Sequence, residues 1–194
     1  MPPALPTLLR AIAACRTCAP FLPHEPRPVL TAHRAAPLLI AGQAPGSRVH
    51  ATGIPWDDPS GDRLRDWLGL DRETFYRADR VALVPMGFCY PGAGKTGDLP
   101  PRPECARDWH PRLLPRLRSV RLTIVIGTYA QAYHLGDRRR ASLTATVAAW
   151  RDYLPAAFPL PHPSPRNRIW LRRNPWFERE LVPELRRRVA ALGL

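Results

Sequence analysis

Pro37-Leu38-Leu39-Ile40-Ala41-Gly42-Gln43-Ala44-Pro45-Gly46 is an apolar run that stops abruptly at a Gly/Pro-rich turn. Such a run predicts a strand buried on both faces, and its sudden end presents one polar side chain, Gln43, just beyond the sheet. Phe158-Pro159-Leu160-Pro161-His162-Pro163-Ser164-Pro165 repeats the design near the other end of the chain, with a histidine in place of the glutamine. Two strand ends carrying polar groups on stiff loops predict a cleft between them.

Working outward, Arg80 to Phe88 and Arg121 to Ile126 read as two further core strands, the second ending at Gly127, with Thr128 expected to cap the helix that follows. Helical spacing precedes and follows these strands, at residues 4–14, 63–68, 104–117, 143–153 and 176–192. Strands alternating with helices predict an α/β fold, a three-layer α/β/α sandwich around a mainly parallel four-stranded sheet, with ligands at the strand C-termini. With 194 residues and 45% hydrophobic content, the chain can bury one substantial core, so a single domain spanning residues 1–194 is expected.

The formal charge is +13, mostly from arginine, which favours a polyanionic partner and points to nucleic acid; the bland alternative is a solvated arginine surface. No apolar segment approaches the roughly 18 to 20 residues that span a bilayer, and no signal-type N-terminus is evident, so a soluble, cytoplasmic, monomeric protein is expected. The 25 prolines are interleaved with periodic apolar segments and signal stiff loops more than disorder.

The N-terminal helical stretch meets Cys15-Arg16-Thr17-Cys18, and the other two cysteines are Cys89 and Cys105. In a reducing compartment two disulfides are disfavoured, whereas a Cys-x-x-Cys pair plus two single thiolates can hold zinc or an iron–sulfur cluster; four unlinked thiols is the third possibility. Beyond Gly46, Trp56-Asp57-Asp58 precedes a helix whose start is expected at Ser60 and Asp62. Adjacent carboxylates on one loop cannot both face one site, so at most one of Asp57 and Asp58 is a catalytic candidate and the other caps the helix or meets Arg48. Gly94-Lys95-Thr96 is not a phosphate loop, because Cys89 stands where the earlier glycine is required and Gly97-Asp98-Leu99-Pro100-Pro101 cannot start a helix. Lys95 and Arg102 are read instead as phosphate contacts, as is the run Arg138-Arg139-Arg140, and His110 and His134 as surface groups. A zinc deaminase is excluded, since no His-x-Glu precedes a Pro-Cys-x-x-Cys.

Gly42-Gln43-Ala44-Pro45-Gly46 and His162-Pro163-Ser164-Pro165, about 120 residues apart, together resemble the two signature loops of the uracil-DNA glycosylase superfamily. The form with alanine third is most similar to its iron–sulfur branch, family 4, whose loop reads Gly-Glu-Ala-Pro-Gly. The resemblance implies a [4Fe–4S] cluster on Cys15, Cys18, Cys89 and Cys105, with structural zinc as the alternative. It implies that His162 faces uracil O2 and that Gln43 and Ala44 hold the base or the water. Trp56 takes the place of a phenylalanine that stacks on the extruded base. Ser164, Pro165, Arg166 and Asn167 would form a DNA-inserting loop, with Arg168, Arg172 and Arg173 on the backbone. Two departures stand out. Gln43 replaces the family's glutamate and cannot be a general base, leaving Asp57 or Asp58, near which family 5 carries an aspartate implicated in activating water. Pro85 replaces the asparagine that pairs with uracil O4 and N3, so backbone groups of Met86 and Gly87 are expected to read the base instead. The implied activity is excision of uracil or a related deaminated base from DNA by base flipping and N-glycosidic hydrolysis in base excision repair. A non-catalytic iron–sulfur DNA-binding module of the same fold is the alternative.

Overall fold

A computed structural model describes residues 4–194. Four strands form one sheet in the order β2-β1-β3-β4, where β1 is Leu38–Ala41, β2 Val81–Leu83, β3 Leu122–Ile126 and β4 Ala157–Leu160. All three pairings are parallel, with Leu38 opposite Val81 on one side and Leu122 on the other, and Ile124 opposite Phe158. β1 is central and wholly buried, as its unbroken apolar run requires. Pro159 lies in β4, a sheet edge, where a missing N–H costs no ladder bond on the outer side. The opposite edge, β2, is covered by an antiparallel rung. Thr31 and Leu83 exchange N–H···O bonds of 3.0 and 2.8 Å, so part of the segment expected to be loop guards the sheet against edge pairing.

The alternation of side chains sorts the core into two layers. Leu38, Ile40, Leu83, Ile124 and Phe158 face Leu64, Trp67, Phe75, Phe177 and Leu185. On the other face, Leu39 and Ala82 meet Leu8, Ile12, Phe88 and Leu113, while Ala41 and Val125 meet Ala130 and Tyr153. Helices therefore cover both faces, giving the three layers expected. No helix among the described residues is long and apolar enough to cross a membrane.

The helix Pro59–Leu68 places the site's floor, and of the caps expected for it one of the two adjacent carboxylates is used. Asp58, not Ser60 or Asp62, is the N-cap: its Oδ1 accepts the Gly61 N–H at 2.8 Å, with Pro59 in the first turn and Gly69 left-handed at the far end. Thr128 likewise does not cap its helix, which runs Gly127–Leu135 without a side-chain cap. Because an asparagine caps as well as an aspartate, Asp58→Asn should leave the melting temperature nearly unchanged, whereas Asp58→Ala should lose about 1 kcal/mol of stability in urea unfolding. Equal losses in the two variants would show that charge, not capping, is what Asp58 supplies.

Candidate active site

The loops after β1 and β4 converge with residues following β2 on one cleft of about 610 Å³. Gln43, Ala44, Trp56, Asp58, Pro85, His162, Ser164, Pro165, Arg166 and Asn167 all line it. The first loop is locked to the segment after β2: Met86 N–H donates to Gly42 O at 2.8 Å and Gly87 N–H to Gln43 O at 2.9 Å. This corrects the expectation for Met86 and Gly87. Their donors serve the loop, neither residue lines the cleft, and Met86 packs with Ala41 and Val125.

Trp56 is held in an uncommon backbone state, φ +57°, which for a bulky side chain signals strain maintained by its surroundings. Two glycines make that possible. A Cβ on Gly61 would sit 1.8 Å from Trp56 O, and one on Gly42 would sit 2.8 Å from the indole ring. The buried Arg65 also reaches Trp56 O at 3.4 Å and Tyr76 Oη at 3.2 Å. So fixed, the indole lies against the His162 imidazole, ring centroids 5.8 Å apart and planes 30° from parallel.

His162 is equally constrained. Ser164 N–H donates to its Nδ1 at 3.1 Å, Asn167 Nδ2 donates to its carbonyl at 2.7 Å, and Arg63 reaches the carbonyls of Pro163 and Ser164 at 3.4 and 3.3 Å. Nδ1 is therefore an acceptor and the proton of the neutral ring sits on Nε2. Burial pushes the imidazole's pKa below its ordinary value, against the opposing pull of the Asp58 charge. The ring is a neutral donor near pH 7.

The two adjacent carboxylates part company. Asp57 turns to Arg72, at 2.9 Å, and does not line the cleft; Asp58 lines it but caps the helix. The family position at Pro85 offers no donor, and its carbonyl is held by His110 Nε2 at 3.1 Å on the side away from solvent. His110 is fully buried, stacked on Phe88 at 5.3 Å, not on the surface as its arginine-bordered helix suggested. Sequence reasoning also missed Asp98 and Thr96 and read Arg48 only as a partner for an aspartate; all three line the cleft, from the Gly92–Leu99 hairpin and the helix after Gly46. Lys95 is exposed on that hairpin outside the cleft, and Arg168 borders a separate depression with Arg172 and Arg179.

A family model described as the uracil DNA glycosylase superfamily matches residues 29–186. The chain belongs to the uracil-DNA glycosylase superfamily. The match takes in both cleft-forming loops and two of the cysteines; Cys15 and Cys18 precede it.

All four cysteines are free, Cys18 and Cys105 buried, Cys15 and Cys89 partly so. Burial pushes the Cys105 thiol up to about 12 and Cys89 up to about 11; charge on Cys15 and Cys18 raises both further, so the four share one neighbourhood. Among the described residues no three or more His, Cys, Asp or Glu side chains close into a metal-binding group. As a donor set, four unpaired thiols around one patch suit iron–sulfur or zinc chemistry, and a bound cation would stabilise the thiolate forms that burial disfavours.

Proposed function

We propose that this superfamily member excises uracil or a related deaminated base from DNA. The observation that carries the reading is a fixed, neutral imidazole, proton on Nε2, beside a strained aromatic ring in one cleft at the strand C-termini. A flipped base needs a stacking surface, worth on the order of 1–3 kcal/mol, and a donor for the charge that builds on O2 as the glycosidic bond breaks. Trp56 offers the first and His162 Nε2–H the second. The +13 charge supports DNA as the carrier of that base, and Arg166, at the cleft mouth, is placed to meet its backbone.

Gln43 donates through Nε2 to Leu99 O at 3.1 Å, which leaves its carbonyl oxygen to accept from the base. With proline at position 85, the N3–O4 edge meets no side-chain amide there, so we infer tolerance of more than one deaminated base. The four cysteines would hold a [4Fe–4S] cluster, with zinc the alternative; its chemistry in this role is structural, tying the N-terminal helix to the segment carrying Cys89 and Cys105. We further propose that the protein acts as a monomer.

Single- and double-stranded oligonucleotides carrying uracil, hypoxanthine or xanthine test the reading. Alkali-labile abasic sites, formed far more slowly with His162→Ala, are the expected products. Tight binding without excision of any base would establish the non-catalytic module in its place. Absorbance near 400 nm in the purified protein, with iron and zinc counted by mass spectrometry, decides between cluster and zinc.

A further inference from the structure

Hydrolysis needs a water positioned and relieved of a proton, and the residues first considered for that task are otherwise engaged: Gln43 is an amide, Asp57 is paired with Arg72, and Asp58 caps a helix. One cleft carboxylate remains. Asp98 lines the cleft and, among the described residues, makes no side-chain hydrogen bond or ion pair within 4 Å. Its place is fixed by the backbone. Ala93 and Asp98 form an antiparallel bridge, Gly94 N–H donates to Gly97 O at 2.6 Å, and Leu99 N–H donates to Gly92 O at 2.8 Å. The Gln43 amide then ties this hairpin to the first loop through Leu99 O. The result sets Asp98 Oδ2 against the turn, 3.4 Å from where a Cβ on Gly46 would lie.

We propose that Asp98 is the catalytic residue that orients and deprotonates the attacking water, in the role its family's loop glutamate leaves open at Gln43. The water oxygen forms a bond to C1′ as the C1′–N bond breaks, and the bonding pair leaves with the base. His162 Nε2–H stabilises the charge arriving on that base, and the water's proton passes to Asp98 and then to solvent. The groups facing the carboxyl are Arg166 on the loop after β4, Asp58 at the helix start and Tyr90 beyond the base of the hairpin. Partial desolvation raises its pKa above the ordinary value, against the pull of Arg166 and with a smaller push from the Asp58 charge, while the side chain stays open to solvent. A carboxylate so raised accepts a proton more readily near neutral pH.

This assignment rests on the proposed base excision, and the test separates the two. Single-turnover excision is measured for the wild type, Asp98→Asn and Asp98→Glu, from the best substrate of the oligonucleotide panel. Affinity for DNA carrying a non-cleavable 2′-fluoro analogue of that nucleotide is measured alongside. Asp98→Asn should lose a factor of about 10² to 10⁴ in rate with affinity little changed, and the acid limb of the pH–rate profile should vanish with it. Asp98→Glu should recover part of the rate. An active wild type whose Asn variant keeps its rate, loses rate only in proportion to affinity, or keeps the same acid limb overturns the Asp98 role and leaves excision standing. A wild type that binds the analogue and releases no base overturns both.

Discussion

His162→Ala should slow base release by about 10² to 10³-fold while DNA affinity stays within a few-fold of the wild type. The size follows from what the ring is built to do. Its Nδ1 is occupied by the Ser164 N–H, so Nε2–H is the single donor it turns to the cleft. The donor acts only on charge that develops as the bond breaks, so its loss falls on the chemical step and not on binding. His162→Gln, which keeps an N–H of similar reach, should lie between. The pH dependence has a definite sign. Because burial lowers the ring's pKa below 6.5, the working neutral form persists as pH rises from 6.5 to 8.5, and imidazole titration costs no activity across that range. A rate that instead fell across that alkaline range, and did so only with His162 present, would show a charged ring at work and sink this account. Single-turnover rates from pH 5 to 9 for the wild type and both variants decide it.

Both loops were legible because Pro and Gly constrain backbone locally: Gly42-Gln43-Ala44-Pro45-Gly46 and Pro161 to Pro165 leave a strand few ways to end. The sheet followed from four apolar runs separated by helical spacing. The Asp58 cap was half legible: one of the two adjacent carboxylates was expected to cap the helix or meet Arg48, and the aspartate directly before a proline is the one that does so, whereas Ser60 and Asp62 do not. What could not be read depends on partners distant in sequence. That Met86 and Gly87 donate to Gly42 and Gln43 is a consequence of how the loop after β1 lies beside the segment after β2, and no local pattern encodes it. Asp98 lies in a Gly-rich stretch with no local site signal, and contacts distant in sequence, among them the bond from Gln43 to Leu99, 56 residues apart, hold that stretch beside the cleft. His110 looked exterior because arginines flank it, yet Arg107 and Arg112 point outward while the imidazole packs between Phe88 and Tyr133.

That buried ring makes the protein acid-labile in a window of its own. His110 and His134 are both held near pKa 4 by burial, and charge on His110 lowers His134 further. The Pro85 carbonyl favours charged His110, but desolvation outweighs it. His110 Nδ1 and His134 Nε2 have no hydrogen-bond partner among the described residues, so a proton gained there finds nothing to stabilise it. The unfolded chain takes up those protons near pH 6.5 and the folded chain resists until about pH 4, so unfolding binds protons and stability falls as pH drops through that interval. At about 1.36 kcal/mol per unit, one such ring accounts for roughly 3 kcal/mol between pH 6.5 and 4. Glu184, pushed down to about 2 by Arg187 and Arg188, contributes stability that is present above about pH 4.5 and lost as pH falls from there toward 2, so it barely overlaps the histidine window. Urea midpoints from pH 7.5 to 4.5 should decline steeply for the wild type. In His110→Phe, which keeps a ring against Phe88 and Tyr133 but cannot titrate, the decline should flatten by about half, whatever that substitution costs at pH 7.5. Parallel curves for the two proteins would show that His110 is not what acid attacks.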